Sequence, residues 1–414
     1  MTKTVAPGIQ KLGEQHYRVW WTEDGTGQRR SRVVHDSLEQ AKKLRASMID
    51  AQTRGEYVTP RVLTVATYLT AWLDGRELRR DAAQSTHERY RSLLLGSLVG
   101  RLGALPLQHL AGEQITTYYK WCLGHEITNR GTLVNAETVY KRHKVLKQAL
   151  ADAVRERLIV KNPAIDAKAP KQQHHEALTF TREDTQVLLG ALHGDLLELP
   201  VRIALVTGLR LGEVLGLTWR ALELPADGPG KLSVSAIVSE TAGKVTLEKQ
   251  RAKTRSSLRT ITIDAELMEA LRAHRKAQAE QRLAMGPAWK NNDLVICTYE
   301  GGVKRPSRLS YDFTAVVRML EEAGALSTTG ATFHTLRHTN ATLLLQAGVP
   351  VRVVSQRLGH KKVEITLGIY AHALPGQDED AAEVAAGLFS GCSEPAMHIS
   401  CTSEGIKKAA EAAL

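Results

Sequence analysis

The sequence predicts a multidomain protein that is mainly α-helical and carries small β-sheets. Its 414 residues are too many for one compact core, so two or three domains are expected. Apolar residues alternate with polar ones near the N-terminus, recur at helical spacing through the middle, and follow both patterns in the last part. With 43% hydrophobic and 24% charged residues, the chain has the composition of a globular protein.

The first domain, residues 1–57, is predicted to be a three-stranded sheet backed by one helix. Strand-like residues 16–21 and 28–34 flank a turn at 24–27, and Ser37 is placed to cap the helix that follows. The sheet carries basic side chains that could lie in a DNA groove, namely Arg18, Arg29, Arg30 and Arg32. The alternative interpretation is a sheet face that is simply solvated.

The second domain, residues 62–166, is predicted to be entirely helical. Its helices are expected over residues 64–78, 85–99, 111–124 and 135–158. The last helix has an apolar stripe that includes Val139, Leu146 and Ala149. Its other surface is basic, with Lys141, Arg142, Lys144 and Lys147. That surface is either solvated or in contact with phosphates.

The third domain, residues 175–390, is predicted to mix helices and strands. Helices are expected over residues 182–192, 196–207, 211–219, 265–283, 309–323, 333–347, 351–358 and 363–371. Strands are expected over residues 232–238, 243–247, 259–263 and 294–297. A tail, residues 391–414, ends in a helical stretch that either packs on a neighbouring subunit or stays disordered.

Charge and cysteine content narrow the class of protein. A formal charge of +11 and a pI near 9.4 favour a polyanionic partner such as nucleic acid. The four cysteines include no Cys-x-x-Cys pair, so neither a zinc module nor a disulfide framework is expected. The N-terminus has no signal-peptide core, and no apolar run approaches the roughly 18 residues of a membrane span. We therefore expect a cytoplasmic protein without membrane contact.

Candidate functional residues begin at Arg210, which follows the glycine that ends an apolar helix. This location puts the guanidinium close to the N-terminus of the next helix, where anions are favoured. Glu213 lies three residues later on the same face. It either orients a cation of the site or forms an ordinary surface ion pair.

A second set of candidates lies on the helix predicted over residues 333–347. His334 and Arg337 are three residues apart and share a face, and an arginine fork suits the non-bridging oxygens of a phosphate. His338 lies one turn after His334, and this pair resembles half a zinc motif. Because no third ligand is evident, no metal site is predicted.

Two further candidates, His360 and Tyr370, follow in the next two predicted helices. Gly359 lets His360 enter from a tight turn. Tyr370 is either a core residue or a nucleophile that attacks phosphorus and holds a covalent intermediate. The run 250–259, rich in Lys, Arg and Ser, is either a flexible loop or a finger that reaches a DNA groove through residues such as Arg255.

Five motifs, taken in order, resemble those of the tyrosine recombinases, also called phage-type integrases. They are Thr-Gly-Leu-Arg-x-Gly-Glu at 207–213, Lys-Thr-Arg-Ser-Ser at 253–257, His-Thr-Leu-Arg-His at 334–338, Leu-Gly-His at 358–360, and Tyr370. The resemblance covers residues 177–388. The helical region before it is similar in size and layout to the core-binding (SAM-like) domain of that family, and the N-terminal sheet resembles its arm-type DNA-binding domain.

The resemblance implies a mixed α+β tyrosine-recombinase catalytic domain and a phosphotyrosine mechanism. Tyr370 would attack the scissile phosphate, giving a 3′-phosphotyrosyl link and a free 5′-hydroxyl. Arg210 and Arg337 would hold the non-bridging oxygens. The family needs no metal, nucleotide or other cofactor, because the phosphotyrosine bond stores the energy for rejoining, and the sequence has no GxxxxGK[ST] loop.

The remaining roles also follow from the resemblance. His334 and His360 would hydrogen-bond the phosphate or assist proton transfer at the tyrosine. Lys253 would be the general acid for the leaving 5′-oxygen, and Glu213 would support the site. Ala252 departs from the pattern, because many relatives have proline before the lysine.

The main hypothesis is a site-specific integrase of a prophage or similar mobile element, acting in a bacterial nucleoid. It would bind double-stranded DNA attachment sites as a homotetramer, exchange strands through a Holliday junction, and work with accessory bending or directionality proteins. One alternative is a type IB topoisomerase, which uses similar residues to relax DNA. Another is a DNA-binding regulator that does not cut.

Overall fold

The computed structural model describes residues 3–23, 27–54, 62–79, 81–128, 131–171, 176–249, 259–371, 382–383 and 385–388. The chain forms two compact units, Met1–His174 and His175–Leu414. Both helices and small sheets are present, and helices dominate, as the sequence predicted. None of the helices in the described ranges has the length and hydropathy that a membrane span requires.

The N-terminal sheet has four antiparallel strands in sequence order, and one helix covers it. The strands are β1 (Lys3–Ala6), β2 (Ile9–Gly13), β3 (His16–Thr22) and β4 (Arg29–His35), and the helix is α1 (Leu38–Thr53). The expected three-stranded sheet was therefore wrong by one strand. The missed strand β1 has only four residues, which is too few for alternation to be recognised.

A tight turn at Gly8 joins this missed strand to the rest of the sheet. Gly8 has φ +73°, a backbone conformation that glycine adopts without steric cost, and its carbonyl accepts from the Trp20 amide at 2.8 Å. The hydroxyl of Ser37 accepts from the Gln40 amide at 3.3 Å, so Ser37 caps α1 as predicted.

The helical part of the first unit contains α2 (Val65–Arg79), α3 (Gln84–Leu94), α4 (Ser97–Leu102), α5 (Gly112–His125) and α6 (Ala136–Arg155). The helix expected over 85–99 is broken in two at Gly96. Helix α6 begins after the cap Asn135 and packs Val139, Leu146 and Ala149 into the core. Two long-range hydrogen bonds tie α2 to α6, from Tyr68 Oη to the Ala149 carbonyl at 2.6 Å and from Trp72 Nε1 to Asp152 at 2.7 Å.

The second unit surrounds two small sheets with helices. Its elements are α7 (Arg182–Ala191), α8 (Glu198–Thr207), α9 (Leu211–Leu215), β5 (Leu222–Glu223), β6 (Gly230–Ser233), β7 (Ala236–Thr241), β8 (Lys244–Lys249), β9 (Thr260–Ile263), α10 (Ala265–Met285), α11 (Pro306–Glu322), α12 (Phe333–Gln346), α13 (Val351–Leu358) and α14 (Val363–Tyr370). Strands β5, β6 and β9 form one sheet, and β7 and β8 form a hairpin.

Two strand predictions in this unit were wrong. The strand expected over 232–238 is two strands, β6 and β7, which belong to different sheets. The strand expected over 294–297 forms only isolated bridges, from Leu294 to Thr218 and from Cys297 to Val303. Short apolar runs of this kind do not distinguish a strand from a buried loop by periodicity.

Helix α12 is the central element of the second unit, because it contributes to both of its apolar clusters. Phe333 and Leu336 pack into the larger cluster, and Phe333 makes an edge-to-face contact with Phe313 at 5.4 Å. Ala341 and Leu345 pack with Leu358 of α13 in the smaller cluster. Because α12 is covered on opposite sides, several of its polar residues are buried as well as its apolar ones.

The segment before α12 is fixed by one buried carboxylate, Asp184. This side chain accepts hydrogen bonds at 2.8 Å from the Ser327 amide, the Ser327 hydroxyl and the Thr328 hydroxyl. It also caps α7 together with Thr181. Burial acts to raise the pKa of Asp184, but these hydrogen bonds outweigh it and lower the pKa to about 2.

We expect Asp184→Asn to lower the free energy of unfolding by about 1–3 kcal/mol, because hydrogen bonds to a charged acceptor are lost and one donor faces an amide NH₂. The native pKa lies below the unfolded value near 3.9, so the stabilisation is present above that pH and is lost as the pH falls toward 2. Urea unfolding of the full chain at several pH values measures both effects. Asp312→Asn, at an exposed helix pair with Arg308, is the matched control. Equal unfolding midpoints for Asp184→Asn and the parent chain would contradict the assignment.

Candidate active site

The junction between α8 and α9 brings Arg210 into the site. Gly208 ends α8 in the left-handed conformation, with φ +68°. A Cβ atom there would lie 2.7 Å from Asn340 Oδ1 and from Leu358 Cδ2, so only glycine lets α8 approach α12 and α13 this closely. Arg210 is the N-cap residue of α9, and its side chain keeps 45% of its surface exposed. This guanidinium is available to a ligand.

Arg337 is the buried cation of the site, with 2% of its surface exposed. Its Nη1 donates to the Gly208 carbonyl at 2.6 Å, and its Nη2 donates to the Leu358 carbonyl at 2.7 Å and to His360 Nε2 at 2.9 Å. Burial and the nearby charge of Arg210 lower the pKa of Arg337 to about 10, so it remains protonated near neutral pH. The groups that accept these hydrogen bonds are neutral. The positive charge of Arg337 is therefore not cancelled and can attract an anion.

Glu213 is 3% exposed and joins two arginines. It accepts from the Arg210 amide at 2.9 Å, from Arg210 Nη1 at 3.2 Å, and from Arg259 at 3.2 and 2.8 Å. Burial acts to raise the pKa of Glu213, but the hydrogen bonds and charge of Arg259 lower it below its ordinary value. This carboxylate therefore stays ionised and fixes both guanidinium groups.

Arg259 was not selected from the sequence, although it shares the site. Besides Glu213, it donates from Nε to the Arg357 carbonyl at 2.7 Å. Its guanidinium lies over Gly359, where a Cβ would be 2.8 Å from Nη1 and where φ is +70°. The sequence offers one signal for Arg259. It is the last cation of the run 250–259 and directly precedes the alternating residues of β9.

His360 is neutral, and its two ring nitrogens have different partners. Arginine can only donate, so Nε2 accepts from Arg337 and the proton resides on Nδ1, which donates to the Thr366 hydroxyl at 2.8 Å. Burial, followed by the charges of Arg337 and Arg210, lowers the pKa of His360 to about 4. His334 lies on the exposed side of α12, and burial together with the same two arginines lowers its pKa as well.

Tyr370 lies at the end of α14 with only 1% of its surface exposed. Its hydroxyl is 2.7 Å from His338 Nδ1. Burial raises the pKa of Tyr370 to about 12, while Arg337 and Arg210 act in the opposite direction. The spacing of His334 and His338 resembles half a metal motif, yet the ring of His338 faces the tyrosine.

Lys253 and Arg255 lie outside the described residues, as does the tail 391–414. The segment that contains the lysine is bounded by Lys249 at the end of β8 and by Arg259. Arg259, the described residue that directly follows this segment, is bound to Glu213.

The four arginines of the N-terminal sheet do not share one face. Arg18 lies on the face opposite the buried Tyr17, Val19 and Trp21, and Arg29 places its guanidinium 4.5 Å from the Trp20 ring centre on that open face. Arg30 and Arg32 are paired in register with Trp21 and Val19, so they belong to the helix-covered face, and Arg30 forms an ion pair with Glu23 at 3.5 Å. Of these four arginines, Arg18 and Arg29 thus lie on the open face.

The prediction that Arg142 contacts DNA was wrong for the described fold. Its side chain is buried in the first unit, where it forms a two-pronged ion pair with Glu126 and hydrogen-bonds Tyr118. Position 142 lies three residues after Val139 and four before Leu146, so it shares their apolar face. Lys144 and Lys147 are exposed, and Lys141 pairs with Glu137 at 2.5 Å.

The arrangement as a whole suits a phosphodiester. One exposed and one buried arginine can bind the non-bridging oxygens, and neutral histidines can exchange protons near neutral pH. The phenol oxygen of Tyr370 is within the field of both arginines. Such a site can support in-line attack by a phenol on phosphorus.

Comparisons with known proteins find similar chains. Residues 178–376 match the phage integrase family. A tyrosine recombinase XerC-like protein of Caldanaerobacter subterraneus is 28% identical over 401 residues, which is 92% of this chain and 98% of that protein. An integrase of Streptomyces ambofaciens is 26% identical over 358 residues, covering 85% and 87% of the two chains.

Solved structures share the fold. The Tn1549 transposon integrase, solved in complex with a circular intermediate DNA, superposes with a TM-score of 0.64 at 20% identity. The match covers 78% of this chain and 100% of that one. At this identity the likeness establishes a common fold.

We expect Glu213→Gln to lower the free energy of unfolding by about 3–5 kcal/mol, because it leaves the buried guanidinium of Arg259 without its counter-charge. Glu266→Gln removes the exposed partner of Arg202 and serves as the control, with an expected cost of about 0–1 kcal/mol. Denaturant unfolding of both variants provides the measurement. Equal losses in the two variants would show that the Glu213 pair is not a buried charge clamp.

Proposed function

We propose that this tyrosine recombinase, whose residues 178–376 belong to the phage integrase family, cleaves and rejoins DNA with Tyr370 as its nucleophile. The chain is a site-specific recombinase of the kind that mobile elements encode. The observation that carries the assignment of the nucleophile is the single cluster formed by Tyr370, Arg337 and Arg210.

In the cleavage step, the Tyr370 oxygen attacks the scissile phosphorus. The new bond joins the phenol oxygen to phosphorus, and the bond from phosphorus to the 5′-oxygen breaks. The products are a 3′-phosphotyrosine and a 5′-hydroxyl. Rejoining reverses these changes, so the free energy of the phosphodiester is retained and no nucleotide is consumed.

Arg337 and Arg210 bind the non-bridging oxygens and stabilise the charge that develops on them. Because Arg337 is held in place by two carbonyls and His360, it needs no reorganisation as the charge appears. Arg210 is the more exposed of the pair and meets the phosphate first. Glu213 positions Arg210 and does not touch the substrate.

The histidines and Lys253 complete the proposed set. His334 lies on the exposed side of α12 and donates to, or accepts from, the phosphate. His360 orients Arg337 through Nε2. Lys253 is the general acid that protonates the leaving 5′-oxygen, and the binding of Arg259 at the end of its segment supports a location close to the site.

Recombination between two duplexes requires four strand cleavages, so we propose that four protomers assemble on two double-stranded attachment sites. The open face of the N-terminal sheet, with Arg18 and Arg29, binds a second class of DNA site. Lys144 and Lys147 contact phosphates from the helical part. Accessory bending or directionality proteins act on the same DNA.

We expect wild-type protein to form a covalent adduct with a nicked suicide substrate that carries the attachment site of the element, and Tyr370→Phe to form none. The phenol oxygen is the attacking atom, so its removal leaves no nucleophile. A denaturing gel measures the adduct, and Tyr299→Phe, at an exposed tyrosine of the same unit, is the control that keeps it. An adduct that persists in Tyr370→Phe would refute the nucleophile. Multi-turnover relaxation of plasmids that lack the site would instead indicate a topoisomerase.

We expect Arg18→Ala and Arg29→Ala each to reduce the slope of log binding constant against log salt by about 1 on DNA that spans the attachment region, because each removes one phosphate contact. Arg32→Ala is the matched control, since Arg32 belongs to the opposite face of the same sheet. Filter binding or fluorescence anisotropy at several salt concentrations gives the slopes. An equal reduction in all three variants would contradict a one-faced contact.

A further inference from the structure

We infer that His338 is a further catalytic residue, the group that accepts the proton of the Tyr370 hydroxyl during strand cleavage. The inference rests on the proposed role of Tyr370 as nucleophile. It is carried by the contact between His338 Nδ1 and the Tyr370 oxygen, 2.7 Å apart, which is a strong hydrogen-bond distance between a ring nitrogen and the reacting atom itself.

The direction of this hydrogen bond follows from the charge state of the ring. Burial lowers the pKa of His338 to about 4, and the neighbouring His334 and Arg337 act in the same direction. Near neutral pH the ring is therefore neutral and has one acceptor nitrogen. With the proton on Nε2, Nδ1 accepts from the tyrosine hydroxyl, and this is the geometry that a general base requires.

Neither of the other two histidines is placed to do this. Both nitrogens of His360 are occupied, one by Arg337 and the other by Thr366. His334 contacts His338 edge to face at 4.7 Å between ring centres, on the exposed side of the helix. The titratable or charged groups that face His338 are thus His334 and Arg337 on its own helix, Tyr370 on α14, and His360 before it.

Burial of Tyr370 removes the alternative of transfer to bulk water. The side chain is 1% exposed, so its proton needs an acceptor within the protein. An incoming phosphate also changes the balance of charges, because it compensates the charge of Arg337, which lowers the pKa of His338, and so raises the basicity of His338 when a base is needed. The base is thus weak before the substrate arrives and stronger afterwards.

The step balances in atoms and charge. The Tyr370 oxygen forms its bond to phosphorus, its proton moves to His338 Nδ1, and His338 becomes an imidazolium. The 5′-oxygen leaves with the electron pair of the broken bond and takes a proton from the general acid. In rejoining, the 5′-hydroxyl attacks phosphorus and returns its proton to the group that acted as general acid. The bond from phosphorus to the phenol oxygen breaks, and that oxygen recovers its proton from His338.

The test compares single-turnover cleavage rates of wild type, His338→Ala and His338→Asn on the suicide substrate. The asparagine amide can accept a hydrogen bond from the tyrosine but cannot take its proton. We expect both variants to lose about 10²–10⁴-fold in rate near pH 7, the range that a general base contributes. His193→Ala, at an exposed histidine of the same unit, is the control and retains the wild-type rate.

The pH profile separates proton transfer from a structural role. Between about pH 6 and 9 His338 is neutral, so the wild-type rate is expected to change little. Without the base, attack depends on ionisation of a phenol whose pKa is about 12, so the ratio of wild-type to variant rate should fall about tenfold per pH unit. A substrate with sulfur in place of the 5′-bridging oxygen needs no leaving-group proton. This substrate should restore the cleavage rate of Lys253→Ala and leave the cleavage rates of both His338 variants low.

The outcomes distinguish this inference from the proposed function. If wild type forms no adduct, or Tyr370→Phe retains it, the proposed function fails. If Tyr370→Phe alone abolishes the adduct while His338→Ala keeps the wild-type rate and profile, only the inference is overturned. A wild-type rate in His338→Asn overturns it too, since the contact would then only orient the tyrosine. If His338→Ala loses DNA binding, the cleavage rate of His338→Asn decides whether His338 accepts the proton.

Discussion

The buried charge of Arg337 is the interaction on which the rest of the site depends. Two helices end at carbonyl groups that this guanidinium binds, α8 at Gly208 and α13 at Leu358. The C-terminal end of a helix carries partial negative charge, so both ends stabilise the cation that α12 inserts between them. A cation in the interior is costly unless it is hydrogen-bonded, and these contacts stabilise the guanidinium without giving it a carboxylate of its own.

The same constraint explains the neighbouring residues. Each of the two helices whose terminal carbonyl accepts from Arg337 ends at a glycine with positive φ, Gly208 or Gly359, because the chain must turn at once to let the arginine approach. Burial is the main cause that lowers the pKa of His338 and His360, and the charge of Arg337 acts in the same direction. Burial raises the pKa of Tyr370, and the charge of Arg337 opposes that effect. The charge of Arg337 thus contributes to the protonation states of several groups that the proposed chemistry uses.

The sequence predicted the mainly helical architecture and the residues whose chemistry is expressed in short motifs. Arg210, His334, Arg337, His360 and Tyr370 lie in one cluster, although their order along the chain says nothing about distance. Arg259 was missed because its role depends on a strand that brings it back to Glu213 over 46 residues. His338 was missed because only the orientation of α14 decides which histidine meets the tyrosine. Arg142 was misassigned because its charge was given more weight than its helical phase, which points it into the core beside Glu126. Strand β1 was too short for any periodic signal.

The glycine at 359 also has an evolutionary consequence. A change in the first or second base of its codon introduces a side chain, or a stop, at a position where Arg259 leaves no room for a Cβ and where the backbone disfavours one. Such a mutation leaves the N-terminal sheet and its basic residues untouched while it disturbs the surroundings of Arg259. If the chain acts as proposed, an element that carries the mutation would be inherited with its host chromosome as a resident locus.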